Sequence, residues 1–166
     1  MTNEACVSVW RLEDINTGLG IYQELADQVN IPGKRTAQHP GPAEDGPVLQ
    51  HAWKTLGDRR YDFKFGFADL MQAARWFDKC SYLVRLETVG AVLSRYEVPA
   101  DAVVFGEKQV IFEAVQAVCR ESLKPSITLK PYIKQVRAFR TEQRRGKRVR
   151  LPLYPETRCP ASHATP

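Results

Sequence analysis

The chain has little of what marks a metal centre, a nucleophilic hydrolase or a membrane anchor. Its four cysteines, Cys6, Cys80, Cys119 and Cys159, are scattered, and none forms a Cys-x-x-Cys pair. That spacing gives no support to a zinc site or a disulfide framework and leaves free thiols as the expectation. No apolar run approaches the ~20 residues that cross a bilayer. The first residues, Met1-Thr-Asn-Glu-Ala-Cys-Val7, have neither a basic start nor an apolar signal core, so the expectation is a cytoplasmic protein with no membrane partner. There is no Gly-x-Ser-x-Gly elbow, no phosphate-binding Gly-rich loop ending in Lys-Ser/Thr, and no zinc-protease His pair. His39 and His51 flank a proline-rich stretch without matched Asp, Glu or Cys spacing, so neither is read as a metal ligand.

What is present fits one domain: 166 residues, 43% of them hydrophobic, suffice for a real core. The net charge of +5 is unevenly placed. Residues 1–119 hold 12 Lys/Arg against 16 Asp/Glu, a net −4, whereas residues 120–150 hold 11 Lys/Arg against Glu121 and Glu142, a net +9. The basic character therefore belongs to one segment.

Residues 7–13 begin with apolar–polar alternation from Val7 to Trp10 and read as an opening strand, followed by a glycine turn at Asn16–Gly20 and a short extended piece at Ile21-Tyr22. The stretch 31–47 carries Pro32, Pro40, Pro42 and Pro47 with Gly33, Gly41 and Gly46, which predicts a long loop. Tyr61 to Phe67 predicts an aromatic strand that turns at Gly66 into a helix capped by Ala68-Asp69, with Leu70, Ala73, Ala74 and Phe77 on one face. Ala91–Val98 reads as a strand stopped by Pro99. Val103–Phe105 and Gln109–Phe112 read as a hairpin turning at Gly106–Lys108. Glu113–Leu123 is expected to be a helix with Val115, Val118 and Cys119 on one side, ended by Pro125. Lys130–Arg150 predicts a basic helix with Tyr132, Ile133, Val136 and Phe139 on one face. The expected organisation is an α+β core over 1–123, a basic helical extension over 124–150 and a disordered tail over 151–166.

The phrase Asp62-Phe-x-x-Gly66-Phe67, followed by Gln72-Ala73 and Trp76, resembles a segment of small ADP-ribosyltransferase-like proteins over roughly residues 7–113. A further likeness is to short phage or prophage accessory proteins. The transferase resemblance implies small mixed or antiparallel sheets with packed helices, a cleft for NAD or a related nucleotide, and a macromolecular acceptor. It implies that Arg11 grips the cofactor, that Tyr22 and Phe67 line its site, and that Glu107 and Gln109 stand where the family keeps an acidic catalytic motif. The order here is Glu107-x-Gln109, and a glutamine has no negative charge with which to stabilise a cation-like ribosyl centre. A non-catalytic version is therefore expected on equal terms.

Plainer roles compete with these. Arg11 is also read as a solvent-side charge of an alternating strand. Phe63, Phe65, Phe67, Trp76 and Phe77 are also read as core. The basic segment offers Lys130, Lys134, Arg137, Arg140, Arg144, Arg145, Lys147, Arg148 and Arg150 to nucleic acid or to an acidic protein surface, or it folds back on the acidic part of its own chain.

Overall fold

The computed structural model describes residues 5–23, 25–29 and 39–146. Alternation in the first segment does what the sequence promises, and β1 runs over Cys6–Asp14. After it come α1 (Leu25–Gln28), α2 (Gly46–Leu56), β2 (Phe63–Gly66), α3 (Leu70–Trp76), α4 (Cys80–Glu87), β3 (Ala91–Pro99), β4 (Val103–Phe105), β5 (Val110–Glu113), β6 (Val118–Leu123) and α5 (Pro125–Arg144). The fold is α+β, with two three-stranded antiparallel sheets ordered β1-β3-β6 and β2-β5-β4.

The strand period of two gives each face of the first sheet its own core. Leu12 and its partner Leu93 meet Ala73 of α3, Leu83 and Leu86 of α4, and Leu129, Ile133 and Val136 of α5. On the opposite face Val9, Tyr96 and Val98 meet Val103, Val110 and Phe112 of the second sheet. Leu93 and Phe112 are fully buried, and each such side chain stabilises the fold by about 1.5–3 kcal/mol. Helix α2 covers the outer side of the second sheet, where Trp53 tilts against Phe65 at 5.5 Å.

The sheets join where β1 crosses the end of β2. Trp10 N–H donates to Phe67 O at 2.8 Å, and Phe67 N–H returns the bond to Trp10 O at 2.6 Å. Gly66 permits that approach. A Cβ there would lie 2.6 Å from Val9 Cγ1 and 2.7 Å from Trp10 O. Beyond the crossing, the Asp69 carboxylate caps α3 by accepting from Gln72 N–H at 2.6 Å, while Gln72 Oε1 accepts from Ala68 N–H at 2.7 Å.

Several expectations change. Ile21-Tyr22 lies in a turn and is not extended, Tyr61-Asp62 ends a 3-10 helix ahead of the strand, and Phe65, also read as core, is 40% exposed. Residues 113–123 do not form a helix but the end of β5, a 3-10 turn at Ala114–Gln116 and β6. Val115 and Val118, which looked like a helix face, are 84% and 49% exposed. Long-range pairing decides this segment, with Leu123 opposite Leu93, Glu121 opposite Arg95, and ion pairs Arg95–Glu121 and Arg120–Glu97 across the strands. The outer edge of β6 is bulged opposite Arg95/Tyr96 and carries Arg120 and Glu121, features that resist pairing with another chain. The predicted loop 31–47 gives way to helix at Gly46, because Pro47 falls in the first turn of α2, where its missing N–H costs nothing. Residues 31–38 lie outside the described residues. Finally, α5 starts at Pro125 rather than Lys130, and Leu129, Ile133 and Val136 place the expected extension in the main core. The tail 151–166 lies outside the described residues.

Gly66→Ala is expected to cost about 1–3 kcal/mol by overpacking the crossing. Urea denaturation measures this cost, and a Gly66→Ala variant as stable as the parent would refute the close crossing.

Candidate functional site

Alternation points Arg11 and Glu13 to the same face of β1, and that face is the one against the second sheet. Both are buried, with 5% and 4% exposure, so the solvent-side reading of Arg11 is overturned. Arg11 Nε–H donates to Glu13 Oε2 at 2.9 Å, and Arg11 Nη1–H donates to Phe65 O at 2.6 Å. The Tyr96 hydroxyl, from β3, donates to the other Glu13 oxygen at 2.6 Å. Burial lowers the Arg11 pKa, and Glu13 pulls it back up. Burial also raises the Tyr96 pKa, and its bond to Glu13 raises it further. One guanidinium thus ties β1, β2 and β3 together through a carboxylate and a carbonyl.

Gln109 makes a second internal tie. Its N–H donates to Asp45 Oδ2 at 3.0 Å, Lys108 N–H donates to Asp45 Oδ1 at 3.0 Å, and Gln109 Nε2 donates to Pro40 O at 2.8 Å. The β4–β5 turn is thereby fastened to the segment leading into α2. Gly106 leaves room for it, since a Cβ there would lie 2.5 Å from Asp45 Oδ2. Asp45, missed in the sequence, is the buried carboxylate that organises this turn. No local signal marked it, because Gly46-Pro47 beside it read as loop.

The remaining residues implied by the transferase resemblance gather near Trp76. The Trp76 indole N–H donates to the Tyr22 hydroxyl at 3.3 Å, and Phe67 meets the ring edge-on at 5.6 Å. His39 stacks on it at 4.8 Å, with Nε2–H donating to Trp76 O at 2.7 Å. Burial raises the Tyr22 pKa. The His39 pKa is lowered by burial first, partly restored by the Trp76 carbonyl and Asp78, and lowered again by Lys108. Beside Trp76 an open cleft of about 500 Å³ is walled by Arg75, Glu107, Lys108, Phe139 and Arg140. Tyr22 and Phe67 therefore share Trp76 as a neighbour and Glu107 lines the same cleft as Trp76, whereas Arg11 and Gln109 are each engaged in the internal ties just described.

The basic segment behaves differently. Burial of Leu129, Ile133 and Val136 fixes which side of α5 faces the core. Lys130, Lys134, Arg137, Arg144 and Arg145 recur at helical spacing on another side, and all five are exposed. Arg137 is held in place by two bonds, from Nε and Nη2 to Asp78 O at 3.2 and 2.8 Å. Arg140 turns toward the cleft and pairs with the Asp78 carboxylate. Lys79, the residue after Asp78, and Arg85 of α4 approach the Tyr82 ring at 4.9 and 5.2 Å, and α4 packs on α5. Lys147, Arg148 and Arg150 lie outside the described residues. Among the described residues no helix is long and apolar enough to cross a membrane.

A family model described as the bacteriophage T4 Y00F protein matches residues 1–126. It takes in β1 through β6 and stops at the second residue of α5. Comparisons with curated proteins and with solved structures return no match for the chain. The expected likeness to phage proteins is thus borne out, and nothing in the comparisons points to a transferase.

Because the fold holds the His39 pKa below 6.5, the unfolded chain takes up a proton at a pH where the folded one resists it. Stability is therefore expected to fall as pH drops through about 6.5, and the drop should be smaller in His39→Gln. Melting temperatures of both chains at pH 7.5 and 5.5 measure this, and parallel losses would count against it.

Proposed function

We propose that this chain, which belongs to the bacteriophage T4 Y00F protein family, is a non-enzymatic accessory protein that docks an anionic macromolecular partner through the basic face of α5. The observation that carries this reading is the exposed row Lys130, Lys134, Arg137, Arg144 and Arg145 on a helix whose opposite chemistry is already spent in the core. A net +9 within residues 120–150 stands against −4 in residues 1–119, so the positive charge is concentrated on this part of the chain. Self-neutralisation accounts for little of the row. Among the described residues, the one ion pair that α5 makes with the acidic remainder of the chain is Arg140–Asp78.

The transferase-like reading, with NAD as cofactor and Glu107 and Gln109 as the catalytic pair, stands second. It keeps the surroundings of Trp76, where Tyr22 and Phe67 adjoin the cleft holding Glu107. Against it, the Arg11 guanidinium is committed to Glu13 and Phe65 O, and Gln109 to Pro40 O. A cofactor would have to break those contacts to recruit either side chain.

The test is retention on an immobilised polyanion such as heparin. The triple variant Lys130→Glu, Lys134→Glu, Arg144→Glu is expected to elute at clearly lower salt than the parent. Its unfolding free energy should change by no more than about 0.5 kcal/mol per exposed site. Elution of parent and variant at the same salt concentration would refute the basic face as the docking surface.

A further inference from the structure

We infer that the anionic partner of α5 is the phosphate backbone of duplex nucleic acid. This inference rests on the docking reading above and narrows it to one class of partner. Three properties of the row lead there.

The row is long. From Lys130 to Arg145 it spans roughly 22 Å at ~1.5 Å per residue. Along a duplex one strand presents a phosphate about every 3.4 Å of axis, so the row faces a run of phosphates and not a single anion. Lys79, exposed and next to Asp78 in the chain, adds a cation beside the point where Arg137 is tied to Asp78 O.

The row also lacks apolar anchors. Stable protein–protein contacts centre on desolvated aromatic or aliphatic side chains ringed by polar ones. On α5 the exposed large hydrophobic side chain is Ile127, in the first turn, outside the cationic run. Thr141 is the residue between Arg137 and Arg144 at the same helical spacing. A surface whose affinity must come from charge alone fits counterion release from a polyphosphate better than it fits an acidic protein patch.

Finally, the aromatic residues of α5 are turned away. Tyr132 packs against the main core and Phe139 lines the cleft beside Trp76. Single-strand binders stack bases on exposed rings, and the row offers none. A duplex, whose bases are already stacked, asks only for the cations.

The experiment is a fluorescence-anisotropy titration of the full chain in a salt series. The probes are a labelled 20-base-pair duplex, a second duplex of unrelated sequence, a single strand of equal length and poly-glutamate. With five phosphate contacts the plot of log K against log salt for the duplexes should slope at about −4.5. Each of Lys130→Ala, Lys134→Ala and Arg144→Ala should reduce the slope by about 1. Lys54→Ala on α2 should leave it unchanged. The two duplexes should bind alike and more tightly than the single strand. Poly-glutamate binding without duplex binding would overturn the inference and leave the docking reading standing. A single strand bound more tightly than the duplex would also overturn it. No binding to any of the probes at low salt would overturn both.

Discussion

The molecule depends on the place where β1 crosses β2. Two backbone hydrogen bonds between Trp10 and Phe67 are the direct join between the sheets, and Gly66 lets the strands come that close. Arg11 reinforces the same crossing from the side, reaching Phe65 O while Glu13 and Tyr96 hold its charge inside the fold. A buried ion pair contributes little net stability, because desolvation offsets most of the Coulomb gain. What it supplies here is registry. A slip of β1 by one residue would turn Arg11 and Glu13 into the apolar core with α3, α4 and α5 and leave Leu12 against the second sheet.

Much of that arrangement was legible in the sequence, for identifiable reasons. The opening strand declared itself by alternation, the start of α3 by Asp69 and the spaced apolar residues after it, and the β4–β5 hairpin by Gly106 between two apolar runs. Local signals were strong in each case. The segment that became β6 had no such signal. Most of its side chains are exposed, so its pattern records neither face of a sheet, and only pairing with β3 makes it a strand. The start of α2 was obscured by Gly46-Pro47, residues that read as loop until they are placed in the first turn of a helix.

Individual side chains were harder to place than elements. That Arg11 and Glu13 share a face follows from their spacing, but that the face is buried depends on a second sheet formed by residues more than fifty positions away. Gln109 and Asp45 met the same limit, since their partnership spans 64 positions. Charge was easier. The contrast between an acidic body and a basic segment needs no partners to be seen. The fold then adds the division of that segment into cations turned outward and aliphatic side chains turned in. The family match ends where this helix begins, so the part of the chain that matches the family and the charged face adjoin without overlapping.

Asp78 has a consequence for α5 that goes beyond pairing charges. Its backbone carbonyl takes Arg137 and its carboxylate takes Arg140, so a single residue grips the helix at two points one turn apart. Two grips on one side of a cylinder stop it from rolling about its own axis. The azimuth of α5 is therefore set from outside the hydrophobic contact as well as by it, and the backbone positions that carry the outward cations keep one orientation. Whatever surface meets that pattern finds the orientational freedom of the helix already removed by folding.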